Sequence, residues 1–293
     1  MSLSFRSAVL VLMFAVNGAV VANSSQESID SHTTASGERL LYLNIDASTW
    51  RPRGRISFAI APAIRLKLAS AGLRVSEDPA MPHDATLKVD YREERGHQIA
   101  VNVFGTDIRC LIRLDDPQGE QSLSLVIHES PSYTDLTSAP YVEVVEKLEA
   151  NPYFYFLGDI VRERLQTHVD TTGALIRALD RQFHRDLHPR PDTALDTLVS
   201  PGETFPHLDV LFSESAQQNT IEELARLKDS RAIDLLERLT SHANQLTRLR
   251  AVVALGEFDD PSIVTVMTRV AEADRDAAVR SAASRVLTKL SPH

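Results

Sequence analysis

Asp229-Ser230-Arg231-Ala232-Ile233 and Asp260-Pro261-Ser262-Ile263-Val264 are one segment written twice, thirty-one residues apart. Between them Thr247-Arg248-Leu249-Arg250-Ala251, running on to Leu255, returns thirty-two residues later as Val279-Arg280-Ser281-Ala282-Ala283, running on to Leu287. A period near thirty marks helix pairs that cannot bury their apolar faces alone and so stack on one another. The pattern predicts a short all-α solenoid over residues 217–293, with helices near 220–227, 232–239, 246–258, 262–271 and 276–290. Such arrays present surfaces to partners and seldom carry chemistry of their own.

Ala254-Leu255-Gly256-Glu257-Phe258-Asp259-Asp260-Pro261, followed by Val279-Arg280-Ser281-Ala282-Ala283, resembles HEAT repeats of the short, phycobilisome-lyase-like kind over about 219–290. The resemblance implies protein–protein scaffolding. It also implies that Asp229, Arg248, Asp260 and Arg280 are structural repeat residues, the arginines bonding across adjacent turns. The first copy departs from the pattern: His242 stands where the second has Asp274, and Thr247 where the second has Val279.

Working outward, residues 188–216 hold Pro189, Pro191, Pro201 and Pro206 with little periodicity and read as a linker. Residues 39–187 read as an α+β domain of a strand-helix-strand start, an antiparallel meander and covering helices. Leu40 to Asp46 is a strand, Ile56, Ile60, Ile64 and Leu68 form a helix stripe containing Pro62, and Gly72 closes that helix. Ala85, Leu87, Val89 and Tyr91 then alternate with polar residues as on a half-wet strand. Ile99, Val101 and Val103 are expected inward on odd numbers and Ile108, Cys110, Ile112 and Leu114 inward on even ones, so a bulge is expected near Gly105-Thr106. Three helices follow, near 141–150, 152–165 and 172–187. The second carries Tyr153-Phe154-Tyr155-Phe156 and is expected in the core.

Arg6 precedes an apolar run from Ala8 to Ala22 that Asn17-Gly18 interrupts, and the chain then turns polar at Asn23-Ser24-Ser25. This is the form of a cleaved secretory signal over residues 1–22, followed by a flexible leader over 23–38. It predicts a periplasmic or secreted protein without a lipid-bearing cysteine and with no transmembrane segment after cleavage. The single cysteine, Cys110, lies in phase with the buried face of its strand, so an inert thiol is expected and no internal disulfide can form. The net charge of −9 argues against nucleic acid as partner.

Two local patterns compete with the repeats. Trp50, Arg51, Arg53 and Arg55 place an indole and three guanidiniums just ahead of a helix, a composition suited to an anion or an acidic partner. Asp180, His184 and His188 recur every fourth residue and offer a weak metal site. No nucleophile elbow and no phosphate-cradling glycine loop is written in the chain. The expectation is an exported, non-enzymatic adaptor that binds a protein partner through its helical repeats and needs no cofactor. A small-anion binding or sensor protein using the Arg51/Arg53/Arg55 loop is the alternative, and a hydrolase with an unrecognised site the third.

Overall fold

The computed structural model describes residues 39–48, 60–94, 97–133, 139–186 and 206–290. It divides into two compact units, Met1–Val145 and Glu146–His293. The predicted signal, the leader, the Trp50 to Arg55 stretch and most of the predicted linker lie outside the described residues.

In the first unit, β1 (Leu40–Ser48) pairs in parallel with both β2 (Arg74–Ser76) and β3 (Ala85–Glu93), and β3 continues antiparallel into β6 (Ile108–Asp115) and β7 (Gln121–Glu129). The five-stranded order is β2-β1-β3-β6-β7. The period-two residues decide which face is dry: Leu41, Leu43, Leu87, Val89, Ile112, Leu114, Leu125 and Ile127 are buried, while Lys88, Asp90 and Arg92 alternate outward. Cys110 is fully buried in this row, and burial pushes its thiol up to about 12.

Helix α1 (Ile60–Ser70) links β1 to β2 and buries Ile60, Ile64 and Leu68. Pro62 falls in its first turn, where the missing N–H costs no helical bond. The helix ends in a Schellman motif: Leu73 N donates to Leu68 O at 3.0 Å and Gly72 N to Ala69 O at 2.9 Å, with Gly72 at φ +78°. A side chain at that φ is strained, which explains the glycine.

The structure corrects the meander in one place. Residues 97–105 do not return alongside β3 as an inward strand. They form a hairpin, β4 (His97–Ala100) and β5 (Val103–Gly105), in a separate small sheet with β8 (Ser132–Tyr133). Ile99 is 54% and Val101 84% exposed, Val101 beside Asn102 at φ 59° at the hairpin tip. The reason is competition for an edge: β6 pairs with β3 over eight residues and brings four apolar side chains to the core, which the short hairpin cannot match. The phase change at Gly105-Thr106 is therefore a change of sheet. Irregular pairing lies instead between Gln98 and Ala100 and, at the end of β6, between Leu114 and Asp115.

Helix α2 (Ala139–Ala150) crosses the division between the units. The helices expected to cover the sheet group with the second unit: α3 (Pro152–Tyr155), α4 (Leu157–Thr167) and α5 (Thr171–Asp186). Asn151 caps α3, Pro152 opens it, and Tyr153, Phe154 and Phe156 are buried. Helix α6 (Pro206–Leu227) occupies part of the stretch expected to be linker. Pro206 stands at its first position, a place where proline starts a helix as well as it interrupts one. After a 3-10 turn (Ser230–Ala232) come α7 (Ile233–Leu239), α8 (Gln245–Leu255), α9 (Ser262–Ala273) and α10 (Ala277–Leu290).

Helix α7 packs on α8 and α9 on α10, while α6, α8 and α10 pack in succession. Helix α6 also carries α8's pattern of burial thirty-one residues earlier: Ala216, Gln217, Thr220, Ile221, Glu223 and Leu224 against Thr247, Arg248, Ala251, Val252, Ala254 and Leu255. Helix α5 packs on α6, and its start is capped as the starts of the later pairs are. Asp170 Oδ1 accepts from Gly173 N, Asp229 Oδ1 from Arg231 N and Asp260 Oδ1 from Ser262 N. Helices α5 and α6 are thus a third pair, interrupted by residues 187–205.

Candidate functional site

The pairs are held in register by polar bridges. Arg248, whose side chain is 4% exposed, donates through Nη1 to the carbonyls of His242 and Ala243 at 3.0 Å in the turn between α7 and α8. Its Nε and Nη2 reach Asp274 Oδ2 and Oδ1, at 2.8 and 3.2 Å, in the turn between α9 and α10. Asp274 is 6% exposed. Burial alone would raise its pKa, but hydrogen bonds from Arg248 and the Asp276 N–H, with the charges of Arg248 and Arg275, hold it below the usual carboxylate range. Arg280 makes the same backward bond, Nη1 to Asp274 O at 2.7 Å. His242 replaces the aspartate of the later turn as an acceptor: its Nδ1 takes the Asn244 N–H at 3.1 Å, as Asp274 Oδ1 takes that of Asp276. Asp229 and Asp170 are joined by Arg231, which lowers both carboxyls. Asp260 caps its turn through Ser262, whose Oγ donates to it at 2.6 Å.

Above these bridges lies a groove. Helices α5, α7 and α9 are each apolar on one side only, so they turn Phe183, Leu235, Leu239 and Val270 inward and leave Asp180, His184, Arg238 and Arg269 along the rim. The groove encloses about 730 Å³. It continues past Arg238, Ser241 and Arg269 into a recess of about 570 Å³ that Asp234 and Glu237 also line. The His242 ring stands edge-on to Phe183, with centroids 4.9 Å apart.

The rim charges are mostly spoken for. Arg238 pairs with Asp180 at 2.8 Å and Arg269 with Glu237 at 3.1 Å. Arg275 donates to the Ala243 carbonyl, and its charge acts on Asp274. The larger recess is lined by four arginines, Arg238, Arg248, Arg269 and Arg275, and two carboxylates, Asp180 and Asp274.

Of the candidate metal residues, Asp180 and His184 sit together on this rim, with His184 Nε2 3.6 Å from Asp180 Oδ1, and His188 lies outside the described residues. The Arg238 guanidinium on Asp180 opposes a cation there. Among the described residues no group of three or more His, Cys, Asp or Glu is arranged to hold a metal ion. Trp50, Arg51, Arg53 and Arg55 are not among the described residues. The groove itself escaped the sequence reading, although a signal existed: Arg238 and Arg269 occupy the same position of the repeat, thirty-one residues apart. Among the described residues no helix is long and apolar enough to cross a membrane.

No curated protein matches the chain in sequence. Two solved structures share partial likeness with it. One is a minor lipoprotein from Acinetobacter baumannii, 14% identical with a TM-score of 0.24, covering 44% of this chain and 88% of that one. The other is described as a lipoprotein from Caulobacter crescentus, 15% identical with a TM-score of 0.21, covering 50% of this chain and 93% of that one. Scores this low carry no argument about the present chain. A family model does match within the helical unit: residues 208–288, spanning nearly all of α6 to α10, are matched by HEAT repeats.

Proposed function

We propose that the protein is an exported, non-enzymatic adaptor of the cell envelope whose helical repeats, stacked as a short solenoid of the phycobilisome-lyase-like kind, hold a protein partner. HEAT repeats in general serve protein–protein interaction, and the match supports that mode of action for residues 208–288. Export is supported by the apolar run from Ala8 to Ala22 with its polar sequel. The sheet unit serves in this reading as a second docking element.

The groove is the observation that carries the proposal. Its walls are three one-sided helices, its base is an ion pair buried for register, and its floor is apolar, which is the composition of a binding surface. The test is site-specific photo-crosslinking in cells of the native host. A crosslinking residue at Arg269 or Arg275 is expected to yield discrete adducts with another envelope protein, and one at Arg113 on the outer face of the sheet a different set or none. No protein adduct from any position on α7, α8 or α9 would overturn the adaptor reading.

A further inference from the structure

We infer that β7 is the contact edge of a homodimer, pairing antiparallel with β7 of a second copy about a two-fold axis at Leu125. The phase of the ladder shows what that edge offers. Just beyond the β3–β6 pairs Glu94 N donates to Asp107 O at 2.9 Å, and just beyond the β6–β7 pairs Thr106 N donates to Pro131 O at 3.1 Å. Hydrogen-bonded pairs recur at every second residue of an antiparallel ladder, so odd-numbered β6 residues bond to β3 and even-numbered ones to β7. Leu123, Leu125 and Ile127 therefore direct their N–H and C=O groups to β6, and Ser124, Val126 and His128 direct theirs away from it. No strand among the described residues pairs with that side of β7.

Sheet edges are ordinarily kept from pairing by shortness, charge, proline or a cover. The opposite edge, β2, is three residues long. β7 runs for nine, and from Leu123 to His128 it holds no lysine, arginine, acid, proline or glycine. Its side chains also match themselves in reverse. With the axis at Leu125, Ser124 stands opposite Val126 of the second copy, Leu123 opposite its Ile127 and Leu125 opposite its own equivalent. Apolar meets apolar on the inner face, and no charged group meets its like. Val126, 37% exposed and beside Leu111 in its own sheet, gains a neighbour on its free side. An axis at Val126 would instead set Glu129 opposite Leu123. One at Ser124 would need Ser122, which the irregular pairing at Leu114 and Asp115 takes out of the ladder. A two-fold contact of this kind closes on itself and makes one continuous sheet of both copies.

The test is sedimentation equilibrium of the full chain, with urea unfolding to confirm that each variant is folded. The chain is expected at twice its monomer mass. Val126→Pro removes an N–H that points away from β6 and no bond of the chain's own ladder, so it is expected to weaken association at least about tenfold without unfolding the sheet. Val126→Lys, which keeps the N–H and adds a charge on both sides of the axis, is expected to act in the same direction. Mild oxidation reads the register. Chains carrying Ser124→Cys mixed with chains carrying Val126→Cys should crosslink, because facing Cα atoms lie about 5.5 Å apart, whereas neither variant alone should, its two copies of the cysteine being about 9 Å apart. Cys110 is fully buried and stays out of the reaction. A monomer at every concentration up to about 0.1 mM would overturn the dimer, and slow exchange of the Ser124 and Val126 amides in that monomer would give the edge to another segment of the same chain. A dimer that both Val126 variants leave intact would place the contact elsewhere, and Val126→Cys crosslinking with itself would overturn the axis at Leu125.

Discussion

The sheet of the first unit and the helix pairs of the second place their charges in opposite ways. In the sheet, Arg92 meets Asp46 and Asp90 on the outer face, where all three are well exposed, and the facing row of leucines, isoleucines and valines is dry. In the helical unit Arg248 and Asp274 are driven almost wholly inside. The cause is the backbone. Strands fix their neighbours' register through the hydrogen-bond ladder itself, whereas a helix satisfies its backbone internally and must take its register from side chains. Polar bridges between turns supply that register here, at the cost of desolvating a charged pair.

The contrast breaks most visibly at Arg248. Arg248→Ala leaves Asp274 buried without its Arg248 partner and removes that guanidinium's bonds to the His242 and Ala243 carbonyls, a loss of about 3–5 kcal/mol from the helical unit. Hydrogen exchange followed by mass spectrometry should show protection falling in α7 to α10 while β3, β6 and β7 are unchanged. Replacing both partners by apolar residues, Arg248→Met with Asp274→Leu, should cost less than the single change, since no orphan charge remains. A double variant as unstable as the single would mean that the bridge contributes packing and not charge.

The matching experiment in the sheet is Ile112→Ala. Ile112 is fully buried, opposite Val89 and Leu125, and the cavity should cost about 2–5 kcal/mol with exchange rising in the strands. Gly256→Ala should cost less, about 1–3 kcal/mol, because a Cβ there would lie 2.8 Å from Val286 Cγ2 and force α8 away from α10. A neutral result would mean that Val286 swings aside and that close approach of those helices is not what the glycine provides.

How much of this was legible follows from the same difference. The sheet's dry row was written in period two, and every residue from Ile108 to Leu114 expected inward is buried. The hairpin was misread because Ile99 and Val101 keep the alternation of a core strand, and sequence says nothing about which of two strands wins an edge. In the helical unit the internal repeat made the last two pairs visible. The α5/α6 pair stayed hidden because residues 187–205 divide it and Gln217 stands where Arg248 does in the next copy. The groove required knowing which sides of α5, α7 and α9 adjoin, which no single-helix periodicity contains. Asp180 and His184 were noticed for the right face of α5, but Arg238, their neighbour in space, lies more than fifty residues away.

The smallest effect separates the units by acid. Asp274 is held below the ordinary carboxylate range in the folded chain, as are Asp170 and Asp229 beside Arg231. A carboxyl depressed by folding contributes stability in full above its unfolded pKa, about 3.9 for aspartate. As pH falls through that value the unfolded chain takes up the proton first, and the contribution is gone once the folded carboxyl is also protonated. Urea midpoints of the helical unit should therefore be flat from about pH 7 to 5 and decline below about pH 4. Asp274→Asn should start lower, because the buried guanidinium loses its counter-charge, and should decline less steeply through the same window. An unchanged slope would assign the acid sensitivity to the other depressed carboxyls of the unit, Glu163 between Arg177 and Arg181, Asp170 and Asp229 beside Arg231, and Asp260 beside Ser262, and not to the bridge between Arg248 and Asp274.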